Sequence, residues 1–332
     1  MPTNSTAQIL RDTLSNDLPP AHRRFVAQLN RLFPCLEQAA AASDPARALY
    51  GTAARQCFFY LQALCRIYRK AQDKQPFKAL GECFKAAEDQ LGKIDHWDGW
   101  LKDAEPLSPA QIAALEQHKA AEITKLQNLL DDGDWLSGDF LRIRTILAEL
   151  ADIDWHSAAK DRREVADFLA NELDELDGDF RKGEFDFKEI ELGVHEFRRK
   201  LRWLSIYAQA LDGLIQLRPV ASMDARLRPY MTNQTVESPF NVLPKQKPGI
   251  EPLYFSAPRF YAMSWVITEI GTIKDAGLKI EAMHQIAEEL GEDAAGKPDT
   301  SIAKTVSEIV HAFIVENAIL RELRDDIKAS AE

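Results

Sequence analysis

The residues of this chain best spaced for chemistry are His195, Arg198, Arg199 and Arg202, at i, i+3, i+4 and i+7 of the stretch from Glu189 to Arg218. At about 100° per residue they fall on one side of a helix, and groups at such spacings sit a turn apart. Gathering four groups that can be cationic there has an electrostatic cost. Either the face is solvated, or something anionic lies against it. Lys200 adds to the local charge. On roughly the opposite side Val194, Phe197, Leu201, Leu204, Ala208 and Leu211 form an apolar stripe, which predicts one amphipathic helix over the whole stretch.

Other constellations are weaker. The acids Asp174, Glu175, Asp177, Asp179, Glu184 and Asp186 lack the sixth-position glycine and closing glutamate of an EF-hand loop, which argues against calcium. His96 lies beside Asp95 and Asp98, but no second histidine is near in sequence, so a capping or surface role is favoured over metal binding. His22, His118, His156, His284 and His311 are scattered without ligand spacing. The chain has no GxGxxG, P-loop, HExxH or GxSxG pattern. No nucleophile can be matched to a base, so neither catalysis nor a cofactor is expected.

Those side chains must be held by something, and the chain has the material. Its 332 residues suffice for two helical domains or one large double bundle, and 45% hydrophobic composition can supply a sizeable core. A net charge of −11 excludes a general nucleic-acid coater, whose footprint would be a basic domain. An anion site must therefore be a local basic patch on an acidic body. Cys35, Cys57, Cys65 and Cys83 show no zinc-like spacing and read as reduced helix residues of a cytoplasmic protein. The N-terminus lacks the charged and apolar regions of a secretory leader. No uncharged run approaches the roughly 18 residues of a membrane span.

Taken in order, the first residues are expected to fray up to Pro19-Pro20. A helix follows from Ala21 to about Ala42, with Pro34 expected to kink or interrupt it. Ser43-Asp44-Pro45 is a start signal for a helix reaching about Gln72. Gln75-Pro76 opens the next, to Leu91-Gly92 and on through Trp100, and Ser108-Pro109 another, to about Asp131. Trp135–Ile153 and Ser157–Leu176 carry two more helical patterns, joined to the basic helix by the acidic stretch Asp174–Glu191. Then comes an irregular segment bearing Pro219, Pro229, Pro239, Pro244, Pro248, Pro252 and Pro258; long structureless loops in compact domains tend to be functional or disordered. Pro258 to about Leu290, stopped by Gly291, and Thr300 to Lys328 are the last two predicted helices. No strand pattern is evident.

Val194-His195-Glu196-Phe197-Arg198, followed by Lys200-Leu201-Arg202, resembles the signature of the conserved histidine α-helical domain (CHAD) family: a histidine with Arg or Lys at the third, seventh and usually tenth positions after it. His195, Arg198 and Arg202 match, while Ser205 stands at the tenth. The resemblance implies an all-α fold of two pseudo-symmetric helical bundles with long helices, whose basic faces bind inorganic polyphosphate or another compact polyanion. Family halves close on a leucine–glycine step with an Asp soon after. Ile270-Gly271 with Asp275 fits this, and Leu91-Gly92 less well, because His96 stands in the place of Asp275. In the first half Thr52 replaces the histidine, Arg55 is the surviving arginine, and Phe59 and Gln62 stand where cations would follow; Arg66 and Arg69 return to that face.

The expected division is a helical extension over 1–44, a first half-bundle over 45–134, a second over 135–291 containing the Pro-rich loop 219–258, and a C-terminal helix over 299–332. The expected anion contacts are His195, Arg198, Arg199, Lys200 and Arg202, with Arg55, Arg66 and Arg69 from the first half. Arg226 and Arg228 would join them if the loop folds back over the basic helix. The resemblance also implies association with intracellular polyphosphate or storage granules. The alternative is a helical protein-interaction scaffold that has lost the polyanion site, for which Phe58-Phe59, Gln62 and the acidic net charge speak.

Overall fold

The computed structural model describes residues 5–15, 17–72, 74–102, 107–291 and 301–332. Among these residues the fold is all-α apart from two short strands. Contacts divide the chain into two units, 1–161 and 162–332, with the boundary inside a helix.

In the first unit α1 (Thr6–Ser15) is ordered, because Thr6 donates from its backbone N–H to Asp139 Oδ2 at 3.0 Å and Leu10 is buried. Next come α2 (Pro20–Ala40), α3 (Pro45–Tyr50), α4 (Ala54–Ala71), α5 (Lys74–Lys102), α6 (Pro109–Asp132), α7 (Leu141–Ala151) and the start of α8 (Ala158–Lys182). Pro34 does not interrupt α2, which runs on through it. The helix expected from Pro45 to Gln72 is broken at Gly51–Ala53. There the Thr52 hydroxyl donates to Leu49 O at 2.6 Å and accepts from Ala54 N–H at 3.2 Å, turning the chain between α3 and α4. Helix starts follow local chemistry: Asp44 accepts from Arg47 N–H at 3.1 Å, and Ser108 and Gln111 cap each other reciprocally. The region from Trp135 begins irregularly, with positive φ at Gly138, Asp139 and Phe140, so α7 starts only at Leu141.

The core of this unit is aromatic. Phe58 is fully buried and meets Trp135 edge-on at 5.2 Å, while Phe59 is half-buried. Burying a residue of that kind is worth about 1.5–3 kcal/mol. Cys57 and Cys65 are buried in the same helix; burial pushes the Cys57 thiol up to about 12 and the Cys65 thiol well above its ordinary value, so neither is a ready nucleophile near neutrality.

His22 is buried against Trp155, the rings stacked at 5.4 Å and 14°, and burial lowers its pKa from the ordinary 6.5. The unfolded chain therefore takes up a proton as pH falls through 6.5 while the folded chain stays neutral. Stability on this account is full above that pH and declines below it. The urea midpoint should fall between about pH 7.5 and about pH 5.5, and His22→Phe, which keeps the stacked ring, should flatten that decline. An equal decline in the variant would assign the pH dependence to other groups.

The second unit holds the rest of α8, α9 (Glu196–Ala210), β1 (Ile215–Arg218), α10 (Asn233–Val236), β2 (Leu253–Ser256), α11 (Ala257–Leu290), α12 (Ser301–His311) and α13 (Ile319–Ala331). Three expectations are corrected here. The acidic stretch from Asp174 is not a linker, since α8 runs to Lys182. The basic helix does not reach Arg218. It begins with a π-turn (Ile190–His195) and ends at Ala210, and Ile215–Arg218 pairs as a parallel strand with Leu253–Ser256. The last helix is split by a π-turn at Ala312–Glu316 and by Ala318 at φ 51°. Serine and carboxylate groups of α13 meet β2: Tyr254 N–H donates to Ser330 Oγ at 3.1 Å and Ser256 N–H to Asp326 Oδ2 at 2.9 Å. The Pro-rich loop is ordered with short helical turns. Gln209 of α9 donates to Phe240 O at 3.0 Å and Val242 O at 3.1 Å, and Gln216 to Pro244 O at 2.9 Å. Among the described residues no helix is long and apolar enough to cross a membrane.

Candidate functional site: the basic face of the ninth helix

The start of α9 is pinned by aromatic packing and by a missing Cβ. Phe185 and Phe187 meet Phe197 edge-on at 5.3 and 5.8 Å. A Cβ at Gly193 would lie 1.8 Å from Asp186 O, so the π-turn that delivers His195 is open only to glycine. The predicted apolar stripe, Val194, Phe197, Leu201, Leu204, Ala208 and Leu211, is buried throughout. Trp203, Ile206 and Tyr207 are buried as well, so α9 is enclosed over much more than a stripe. His195, Arg198 and Arg202 remain half-buried, and Arg199 is exposed.

Much of the predicted cationic face is already matched by carboxylates of the chain. Arg199 pairs with Glu196 at 2.7 Å, and Lys200 with Asp179 at 2.7 Å, where it also lies 5.4 Å from the Phe185 ring centroid. Arg226 pairs with Asp224 at 2.6 Å and with Glu322 of α13 at 3.1 Å, so it faces the C-terminal helix although its loop does fold onto the end of α9. Arg228 is exposed on the same 3-10 turn. Arg55, Arg66 and Arg69 lie on α4 in the first unit; Arg66 is half-buried and Arg69 exposed.

Arg198 is different. Its Nε donates to Ile267 O of α11 at 2.9 Å, and its guanidinium lies so close to Gly271 that a Cβ there would come within 2.8 Å of Nε and Nη2. Burial pushes its pKa down and Asp275 pulls the other way, yet an arginine stays charged in a protein. Asp275 is itself exposed and paired with Lys274 at 2.8 Å. The result is a partly desolvated guanidinium, fixed in place by a backbone carbonyl and weakly compensated. Such a group gains from a bidentate oxyanion partner.

The first unit holds the same local arrangement with the opposite charge balance. Arg55 of α4 lies over Gly92 of α5, where a Cβ would come within 2.7 Å of Nη2. Its Nε donates to Glu88 Oε1 at 3.0 Å, its Nη1 to Asp95 Oδ2 at 2.6 Å, and its guanidinium carbon sits 5.5 Å from the Phe59 ring centroid. Sequence reasoning picked out both glycines and both arginines but missed Glu88 as a partner. Only the spacing of Glu88 and Asp95 on either side of Gly92 could have signalled it. Gln62, where a cation was expected, is buried, so a charge there would be desolvated.

The other candidates resolve into ion pairs. Hydrogen bonds from Lys102, Lys119 and Tyr50 outweigh burial, which acts to raise the Asp98 pKa, and hold it well below the usual range. Asp177 is likewise held low by Arg181 and Arg321 against burial, and Asp174 pairs with Arg324 at 2.7 Å. Among the described residues no group of histidine, cysteine or acid side chains is placed to hold a metal. A groove of about 520 Å³ in the first unit is lined by Cys83, Lys125, Asn128, Trp135 and Arg142, with none of the predicted anion contacts in its wall. Comparison with family models, curated proteins and solved structures finds no match.

Proposed function

We propose that this protein is a non-catalytic, CHAD-like anion-binding module that takes inorganic polyphosphate or a similar compact polyanion on the α9 face. The single observation that supports this most is the environment of Arg198: a partly buried guanidinium, oriented by the Ile267 carbonyl at 2.9 Å, whose nearby acid Asp275 is paired elsewhere. His195 and Arg202, at i−3 and i+4 from Arg198 on the same helix side, extend the face along the length of a chain-like anion. Phosphate-bearing ligands satisfy such donors by charge-assisted hydrogen bonds. His195 adds a further ring-nitrogen donor on the same side. On this reading the Arg55 and Arg198 arrangements are two copies of an internal repeat, only one of which is open to ligand.

The test separates Arg199, which is paired with a carboxylate, from Arg198, which is only weakly compensated. Arg198→Gln should weaken tripolyphosphate binding by about tenfold or more, since a charged hydrogen bond is worth roughly 1.5–3 kcal/mol. Arg199→Gln should change it by less than about threefold, because an exposed pair already engaged with Glu196 contributes little. Equal losses in the two variants would mean diffuse attraction and no defined site.

The second reading, a protein-interaction scaffold, draws on exposed apolar side chains: Leu192 is 78% exposed, Phe240 65% and Val242 71%. It gains if the wild-type protein fails to bind tripolyphosphate while Phe240→Ser alters binding to a protein partner.

A further inference from the structure

The two arginine–glycine contacts can be compared position by position. Four residues before the glycine stands Glu88 in the first unit and Ile267 in the second; three residues after it stand Asp95 and Lys274. In the first unit these two positions supply the carboxylates on Arg55 Nε and Nη1, at 3.0 and 2.6 Å. In the second, the isoleucine offers only its backbone carbonyl, and the lysine turns to Asp275. Arg55 therefore already holds carboxylate oxygens of its own chain, while Arg198 does not. We propose that Glu88 and Asp95 act as a built-in anion, and that the first unit carries a latent phosphate-class subsite at Arg55 which they keep closed. The inference rests on the reading of Arg198 as the open site.

The surroundings of Arg55 suit a phosphate once those charges are removed. Its guanidinium is seated by Gly92 and flanked by Phe59, so its position does not depend on the carboxylates alone. Tyr50 donates to Asp95 at 3.4 Å and to Asp98 at 2.8 Å, and Asp98 is paired with Lys119, so a second cation is tied to the same acidic cluster. Asp95 is 54% exposed at its side chain, so a ligand can reach that side of the arginine from solvent. Because a carboxylate and a phosphate oxygen compete for the same donors, neutralising the acids without changing their shape should convert an internal ion pair into a binding site.

The experiment is calorimetric titration with tripolyphosphate of the wild type, of Glu88→Gln/Asp95→Asn, and of that double variant carrying Arg55→Gln or Arg198→Gln. The wild type should show a single site, the double variant a second. Arg55→Gln should remove only the new site and Arg198→Gln only the original one. A double variant that still shows a single site, or a new site indifferent to Arg55→Gln, overturns the inference and leaves the reading of Arg198 standing. A wild type that does not bind, beside a double variant whose one site is lost with Arg55→Gln, overturns the reading of Arg198 instead. Should the double variant lose its helical circular dichroism, Asp95→Asn alone carries the test. That residue is the more exposed of the two acids, and a second site must then appear with it.

Discussion

Asp161→Ala is expected to destabilise the first unit by about 3–5 kcal/mol, the cost of stranding a buried charge. Asp161 is almost fully buried in the first turn of α8 and accepts from Arg24 Nη1 at 2.8 and 3.1 Å and from the Tyr68 hydroxyl at 2.8 Å. Arg24 and Tyr68 also bond each other. Phe25, Phe77 and Trp155 surround Tyr68 with ring centroids at 5.8–5.9 Å. Burial acts to lower the Arg24 pKa, and Tyr68 and Asp161 together outweigh it. Without the carboxylate the buried guanidinium loses its acid partner. For a unit of this size the loss corresponds to a drop in Tm of about 10 °C. The net worth of the triad is much smaller than the cost of breaking it. Replacing all three members, Arg24→Met, Tyr68→Phe and Asp161→Leu, should recover most of the stability. Thermal unfolding of the two variants decides this. A single variant within about 1 kcal/mol of wild type would mean the site is wetter than its burial implies.

The second large effect is on binding. Arg198→Glu with Arg202→Glu should lower affinity for tripolyphosphate by about a hundredfold or more, because each reversal removes a cationic contact and adds a repulsive charge. The helix should survive. Glutamate is a good helix former, both arginines lie off the buried stripe, and the hold of α9 on its surroundings comes from Phe197, Leu201, Leu204 and Tyr207. Helical circular dichroism checks the fold and titration checks the ligand. Retained affinity with retained helix would remove the α9 face from consideration.

How much of this was legible in the sequence depends on how local the cause was. The α9 stripe, the Asp44 and Ser108 caps and the Gly291 stop were all readable, because each is set by residues within a turn or two of one another. α11 ends where Gly291 takes φ 68°, as a glycine there suggests. What could not be read depends on residues far apart in the chain. Ile215–Arg218 continues the helical pattern of α9, but its backbone bonds are taken by Leu253–Ser256 across the Pro-rich loop. That pairing overrides propensity. The break at Thr52 turns on one hydroxyl choosing Leu49 O, and the split near Ala318 on a residue in a conformation that its side chain does not advertise.

The site shows the same division. Spacing placed His195, Arg198 and Arg202 on one side of a helix. It could not reveal that Lys200 is matched by Asp179 and Arg226 by Glu322, each across more than a turn of chain. Nor could it show that Arg198 is set apart by a carbonyl and a glycine of another helix. A count of cations on one face overstates the charge available to a ligand. Arg199, Lys200 and Arg226 meet acids of the chain, whereas Arg198 meets the backbone carbonyl of Ile267.

We propose that the α9 face around Arg198 binds a phosphate-class polyanion, and the decisive measurement is titration of the wild-type protein with tripolyphosphate at low and then moderate salt. With about three cationic contacts, affinity should fall on the order of tenfold for a fourfold rise in salt, through counterion release. Saturable binding at low salt with that dependence is the predicted result. No binding at low salt, or binding indifferent to salt, would rule out a polyanion site on α9.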